Sequence, residues 1–232
     1  MEFENSAALN KYMAERLNGR AMLAFSCGKD SIVAWLTMRE YFPEITPFYL
    51  YLVPDLEFVE ESLSYYEQYF DCHITRLPHP SMYRWIYNYM WQPPYEIETI
   101  RDLKLVHFEY DDVIELVWQA TGNSGEYFHG VGVRAVDSIV RWAAIKKYGP
   151  VNEKQHKFFP VYDFRKQDML DCIQRHNIKL PVDYRMFGRS FDGIDHRFLA
   201  PIKKYYPRDY QRIIEMVPQA DMELYRYEKW SR

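Results

Sequence analysis

Residues 20–41 read RAMLAFSCGKDSIVAWLTMREY. Residues 20–26 (RAMLAFS) are an apolar run of strand length, and residues 30–41 (DSIVAWLTMREY) carry apolar side chains at helical spacing. Between them lies a short polar turn containing Gly28. A buried strand that passes through a glycine turn directly into a helix is how a parallel α/β unit begins.

Working outward, residues 5–18 read as a short amphipathic helix. After the first unit, Pro43 and Pro47 bracket a turn, residues 47–53 (PFYLYLV) form a second strand, residues 55–70 a helix, and residues 72–77 (CHITRL) a third strand. This alternation predicts an α/β fold, an open, mostly parallel sheet with helices on both faces. Residues 78–110, PHPSMYRWIYNYMWQPPYEIETIRDLKLVHFEY, break the rhythm with aromatics and prolines. They read as an insertion of irregular and helical structure, serving either as a lid or substrate wall or as a packing surface. The rhythm resumes with a helix at 111–121, a strand at 126–132 (EYFHGVG) and a helix at 135–148 stopped by Gly149-Pro150. Residues 157–162 read as an edge strand or extended loop, because Pro160 donates no ladder bond, and residues 165–176 as a helix. The tail from Leu180 reads as loop-rich with one helix near 207–216. The expected organisation is an α/β domain over 1–180, carrying the insertion, and an extension over 181–232 packed on it.

Composition bounds the function. Of 232 residues, 48% are hydrophobic, enough for a packed core, and tyrosine is the largest share of an 18% aromatic content that suits half-buried surfaces and clefts. A net charge of −4 gives no basic balance that advertises nucleic acid, and Lys203-Lys204 reads as solvated surface. The three cysteines, Cys27, Cys72 and Cys172, form no CxxC, which argues against a zinc ribbon, an iron–sulfur site or a disulfide framework and fits a reducing cytoplasm. The first twenty residues hold no apolar signal core, and no run of about 18 apolar residues predicts a membrane span. The histidines form no H-E-x-x-H motif. His129, just before Gly130, is the best placed of them for a general base.

The turn Ser26-Cys27-Gly28-Lys29-Asp30-Ser31 carries the chemistry. It lies where an open parallel sheet binds ligands, at the carboxyl end of a strand. The first turn of the following helix offers N–H groups and the positive end of the macrodipole to an anion. Gly28 lets a phosphate approach the backbone, Lys29 adds a mobile cation, and Ser26 and Ser31 add hydroxyls. Asp30 would repel a phosphate unless a divalent cation stood between them, so the expectation is Mg²⁺ at Asp30. The common P-loop, G-x-x-x-x-G-K-[ST], is excluded: Leu23 stands where its first glycine belongs, and Asp30 follows the lysine.

Ser26–Ser31 resembles the SGGKDS signature of the PP-loop superfamily, the adenine nucleotide alpha hydrolases, with Cys27 in place of the usual glycine. Two further segments resemble the phosphoadenosine phosphosulfate (PAPS) reductase branch of that superfamily. Gly132-Val133-Arg134-Ala135-Val136-Asp137-Ser138-Ile139-Val140-Arg141 is similar to G-x-R-x-x-[ED]-S-x-x-R, and residues 160–169 (PVYDFRKQDM) to P-[IV]-x-[DN]-[WF]…D-[VM]. Together the three cover about residues 20–190. The resemblance implies a Rossmann-like fold of the HUP type and an adenine nucleotide, ATP or PAPS, with Mg²⁺. It implies cleavage of ATP between the α and β phosphates, with adenylation of an acceptor, and a homodimer. Lys29, Asp30 and Arg134 would be catalytic. Ser26, Cys27, Gly28, Lys29, Asp30, Ser31, Gly132, Arg134, Asp137, Ser138 and Arg141 would bind the nucleotide, and Asp30 and Asp137 the metal. The residues of the second segment support this unaided. Arg134 and Arg141 could grip phosphate or sulfate oxygens with planar forks, or form surface ion pairs. Asp137 could hold a metal or cap a helix.

One departure limits the resemblance. Reductases of the branch use a cysteine near the C-terminus, and cluster-binding relatives have paired cysteines. Here no cysteine follows Cys172, and where relatives carry G-C-x-x-C after a tyrosine and a glycine the chain has Tyr184, Gly188 and Ser190-Phe191-Asp192-Gly193-Ile194-Asp195. No iron–sulfur cluster is expected, nor reduction through a covalent thiosulfonate. Cys27, at a helix N-terminus, either reacts or merely fills the glycine position. Cys172 reads as core and Cys72 as structural. Three readings follow: an adenylating ATP pyrophosphatase, with sulfide, an amine or a partner protein as the second nucleophile; a protein binding PAPS or adenylyl sulfate; and a non-enzymatic nucleotide module using residues 78–110 as partner surface.

Overall fold

The structure, a computed structural model, describes residues 2–230. In chain order its elements are α1 (Ser6–Arg16), β1 (Arg20–Ala24), α2 (Lys29–Met38), β2 (Glu44–Tyr51), α3 (Glu57–Phe70), β3 (Thr75–Pro78), α4 (Pro80–Tyr87), α5 (Ile97–Asp102), α6 (Tyr110–Ala120), β4 (His129–Val131), α7 (Ile139–Tyr148), β5 (Val151–Asn152), β6 (Lys157–Phe158), α8 (Lys166–Arg175), α9 (Val182–Phe187), α10 (His196–Tyr205), α11 (Pro207–Met216) and α12 (Asp221–Trp230). Six strands form one sheet in the order β3-β2-β1-β4-β6-β5. β1 pairs parallel with both β2 and β4, β4 pairs parallel with β6, and β5 runs antiparallel to β6. This is the α/β fold with an open, mostly parallel sheet that the alternation predicts. Strand order reverses at β1: the chain first builds toward β2 and β3, then crosses to β4 on the other side. Ligands of such sheets bind outside the carboxyl ends of the strands at that reversal.

The chain divides into two units: Met1–Tyr49, His73–Thr75 and Asp111–Leu180 in the first, and Leu50–Cys72, Arg76–Tyr110 and Pro181–Arg232 in the second. In the first unit β1 is buried at Ala21, Met22 and Leu23, and α2 is buried at every position from Ser31 to Met38. α1 is capped by Asn5, whose side chain accepts from Ala8 N at 2.9 Å. Its buried Asn10 donates to Ser6 O and Pro160 O at 2.7 and 2.8 Å. At the far end of α1, Arg16 bridges Glu126 and Glu153 at 2.6 and 2.7 Å.

In the second unit the rings of Phe58, Phe187, Phe191 and Phe198 form a cluster with centroids 5.0–6.3 Å apart, edge-to-face except for the tilted pair Phe187–Phe191. The insertion over 78–110 is mixed helix and irregular structure, as its sequence reads. It is tied to the chain around α11 by Gln92 Nε2, which donates to Met216 O at 2.9 Å, and by Gln219 N, which donates to Trp91 O at 2.9 Å.

Three expectations change. The tail after Leu180 holds four helices, not one. The expected one near 207–216 is α11; in the other three the buried residues, among them Val182, Phe198, Leu199, Ile202 and Leu224, are separated by so many charged residues that the apolar period is hard to see. Pro47 lies inside β2 opposite Leu23 rather than in a turn, since its fixed φ suits extended backbone. The segment 157–162 is not the sheet edge. β6 is two residues long and lies between β4 and β5, and the hairpin that adds β5 has no strand-length apolar run to announce it.

Candidate functional site

The two sequence motifs meet. Ser26–Ser31 follows β1 and Gly132–Arg141 follows β4, and these strands are parallel neighbours with Leu23 opposite Gly130 and Ala24 opposite Val131. Both loops therefore leave the sheet at the same end, on the strand pair where the order reverses.

The first loop is shaped by its own hydrogen bonds. Ser31 Oγ donates to Gly28 O at 2.9 Å and accepts from Ser26 N at 3.2 Å. Ser26 Oγ lies 3.2 Å from Ser31 Oγ and accepts from Gly28 N at 3.4 Å. Ser31 is buried, so its hydroxyl shapes the loop rather than facing a ligand. Cys27 takes φ +56°, the left-handed region that a glycine adopts without steric cost, and its side chain is buried. The loop thus keeps the backbone a glycine would give, with a thiol in the glycine's place. Gly28 N-caps α2 with no side chain to receive the first-turn N–H groups.

The second loop is pressed against the first. A Cβ on Gly132 would stand 2.6 Å from Asp30 C and Ser31 N. Gly132 serves this backbone contact, because no side chain fits there. Arg134 is buried, and its Nε lies 3.0 Å from Asp30 Oδ1. Both atoms are shielded from solvent and neither forms an aligned hydrogen bond, so the contact is an ion pair held off the hydrogen-bond line. The same guanidinium donates through Nη2 to Asp137 Oδ1 at 2.7 Å. Asp137 Oδ2 accepts from Arg134 N at 3.0 Å and from Arg141 Nη1 at 3.2 Å. Lys29 Nζ lies 3.7 Å from Asp30 Oδ2. Lys29, Asp30, Arg134, Asp137 and Arg141 thus form one chain of alternating charge with a cation in excess.

Of the two roles open to Asp137, the structure displays capping: it closes the 3-10 turn Ala135–Asp137 with both carboxylate oxygens engaged. Ser138 N-caps α7, its Oγ accepting from Arg141 N at 3.1 Å. Of the two expected metal ligands Asp30 is the less committed, its Oδ1 facing Arg134 Nε off the hydrogen-bond line and its Oδ2 lying 3.7 Å from Lys29 Nζ. The third segment is joined to the second, since Ala135 N donates to Tyr162 O at 2.7 Å. Its acids serve structure. Asp163 accepts from Ser6 N and Oγ, holding the start of α1, and Asp168 Oδ2 accepts from Arg165 N at 2.6 Å, capping α8.

His129 is not brought into this group. It lies at the start of β4, opposite Met22 and Lys157, and is buried, with Nδ1 lacking a partner. Burial pushes its pKa down to about 4, so the ring is neutral at pH 7. Cys172 is buried in α8, and burial raises its thiol pKa. The resemblance places Asp30 and Arg134 in one site, but their direct ion pair, across 104 positions, has no local signal in the sequence.

No protein-family model and no curated protein matches the sequence. Among solved structures, the U34-tRNA thiolase NcsA from Methanococcus maripaludis with its [4Fe-4S] cluster aligns over 88% of this chain and 70% of its own, with TM-score 0.43 and 11% identity. A likeness at that level assigns no activity, ligand or cluster to this chain.

Proposed function

We propose that the chain is a PP-loop nucleotide-binding enzyme that takes ATP with Mg²⁺, cleaves it between the α and β phosphates, and transfers the adenylyl group to an acceptor. The observation that carries this reading is the convergence of Ser26–Ser31 and Gly132–Arg141, through Asp30 and Arg134, at the strand reversal. A random pair of family-like segments would not be expected to share one ion-paired cluster at the place where open α/β sheets bind ligands.

The roles follow from the geometry. The start of α2 and the small Gly28 would receive phosphate oxygens. Lys29, Arg134 and Arg141 would offset the charge that develops on the phosphates. Asp30 would hold Mg²⁺, which would neutralise the phosphates and orient them. Asp137 would position Arg134 and Arg141 rather than touch the metal, and Ser26, Cys27, Gly132, Ser31 and Ser138 would shape the two loops. The protein's contribution would be positioning, with the acceptor's nucleophile placed in line with the α phosphate. The acceptor is not named by this site. The same cations would serve PAPS or adenylyl sulfate, or a nucleotide held without turnover. No helix among the described residues is long and apolar enough to cross a membrane, and we place the reaction in the cytoplasm.

The test is pyrophosphate release from ATP–Mg²⁺ by the wild type, Lys29→Ala and Asp30→Ala, beside thermal shifts with ATP, AMP and PAPS. Release that both variants lose supports the proposal. Stabilisation by PAPS alone moves the reading to sulfonucleotides. Stabilisation by ATP with no release in the presence of candidate acceptors favours a binding module. No shift with any nucleotide overturns it.

A further inference from the structure

The first unit holds a cavity away from the two loops. The last turns of α7 and the β5–β6 hairpin border a space of about 380 Å³, with Ile145, Tyr148, Val151 and Phe159 as its apolar wall. β6 runs parallel to β4, and its first residue, Lys157, lies opposite His129, the first residue of β4. The cavity therefore sits at the amino end of the strands, whereas Ser26–Ser31 and Gly132–Arg141 leave the carboxyl end. None of the residues of α7 is buried, and a helix of its length is marginal without apolar cover.

Lys157 is the one lining group whose charge the chain leaves unanswered. Its side chain is half-buried, and loss of water lowers its pKa. The ammonium makes no hydrogen bond or ion pair with the described residues, and Asp111, the acid whose charge acts on it, does so from beyond ion-pair distance. His129, its cross-strand neighbour, is buried and neutral and supplies no anion. The other polar lining groups are committed. Glu153 accepts from both Nη atoms of Arg16 at 2.7 and 2.9 Å. Asn152 donates to Gln155 Oε1 and accepts from Gln155 N. The negative end of the α7 dipole is offset by Lys146 and Lys147 in its last turn. A partly desolvated ammonium in this setting is stabilised by an anion that reaches it through the cavity.

We propose that this cavity binds a small monocarboxylate with an apolar body, the carboxylate on the Lys157 ammonium and the body against Ile145, Tyr148, Val151 and Phe159. The lining residues select that class. They include no arginine and no α-helix N-terminus, so a single lysine meets one negative charge rather than a phosphate, which takes several donors. The apolar wall suits a hydrocarbon body, as in most small-molecule sites. At about 30 Å³ per non-hydrogen atom, a water's share of liquid volume, the space admits about 12 such atoms. The site stands whether or not the chain binds a nucleotide.

Calorimetric titration of the full chain with octanoate, which fits that volume, and with octanamide, its neutral counterpart, tests it, with circular dichroism as the check that each variant is folded. Octanoate is expected to bind with a Kd below about 1 mM, and octanamide at least about tenfold more weakly. Lys157→Met should bind the two alike. Ala144 lines the cavity from α7, and Ala144→Phe, which puts a ring into it, should weaken octanoate at least about tenfold. Lys29→Ala should bind octanoate as the wild type does. An octanoate Kd above about 1 mM overturns the proposal, as does equal binding of the amide. So does a Lys157→Met variant that still prefers the acid, or an Ala144→Phe variant that binds it undiminished. Loss of binding in Lys29→Ala overturns it too, because the acid would then sit at the Ser26–Ser31 loop.

Discussion

Arg134 and Asp30 face each other at 3.0 Å, Nε to Oδ1, from loops that follow two adjacent parallel strands. The contact joins the loop expected to bind phosphate to the loop expected to grip it. Its cation is shared, since the same guanidinium holds Asp137. The arginine is thus a structural tie between the two loops, and in the proposed function it would also be a charge offered to the phosphates.

Replacing Arg134 should therefore cost stability and function together. Arg134→Ala removes the buried cation that Asp30 and Asp137 share and leaves them only the more exposed Lys29 and Arg141, and the expected loss is about 1–3 kcal/mol in urea unfolding. Arg134→Lys keeps the charge but cannot bridge both acids, so it should recover part of the stability and little nucleotide affinity. A Lys variant as active as the wild type would show that the fork geometry is irrelevant.

Cys27 holds a left-handed backbone at the position where the resembling signature has glycine. Cys27→Gly removes the steric penalty and a small buried side chain together, and should change stability by no more than about 1 kcal/mol. Cys27→Val places a branched side chain at the same φ and should cost about 2 kcal/mol or more. Nucleotide thermal shifts should survive the glycine variant undiminished. Their disappearance would make the thiol a functional group rather than a filler.

Gly132→Ala forces a Cβ to within 2.6 Å of the backbone at Asp30 and Ser31. Backbone cannot yield as a flexible side chain does, so the first turn of α2 must move. The expected result is a loss of about 2–4 kcal/mol, measured by urea unfolding, together with loss of nucleotide-induced stabilisation. An alanine variant with wild-type stability would contradict the close approach of the two loops.

How far the sequence disclosed this site follows from distance along the chain. The stretch 20–41 reveals β1, its turn and α2, because strand period, glycine and helix period follow one another directly. Residues 135–148 likewise disclose a helix, but its cap is Ser138, where the sequence offered Asp137. The contact between Asp30 and Arg134 was not legible, nor was the steric duty of Gly132, because both depend on β1 and β4 becoming neighbours. Local signals also mislead where packing overrides them. Pro47 looks like the end of a turn and lies in the middle of β2, and the charged segments after Leu180, apart from 207–216, look like loop and form helices around Val182, Phe198 and Leu224.

Asp209 shows the same effect in the second unit. Leu56 N-caps α3 without a side-chain bond, and the fully buried carboxylate of Asp209 supplies it, accepting from Glu57 N at 2.8 Å and Phe58 N at 3.1 Å. Arg212 Nη1 donates to Asp209 Oδ1 at 3.1 Å. Asp209→Ala leaves those buried donors unpaired and should cost about 2–3 kcal/mol, more than an ordinary cap, with Asp209→Asn intermediate. Hydrogen exchange at Glu57 and Phe58 should accelerate in the alanine variant.

Asp183 makes stability depend on pH in a direction opposite to the usual carboxylate. Its side chain is buried, Oδ2 accepts from Phe191 N at 2.8 Å, and Oδ1 has no partner. Burial raises its pKa from 3.8 to about 6. The folded state therefore favours the protonated form. That contribution is fully present below pH 4 and is lost as pH rises through about 6, a change on the order of 2 kcal/mol. The neutral His129 has the opposite sign, its contribution present above its unfolded pKa and lost as pH falls toward about 4, so between pH 4 and 6 the two oppose each other. Asp183→Asn isolates the first. It keeps an oxygen for Phe191 and removes the charge, so it should match the wild type at pH 4 and exceed it by about 1–2 kcal/mol at pH 8 in urea unfolding. An asparagine variant less stable at pH 8 would mean that the ionised carboxylate has a stabilising partner in the folded chain.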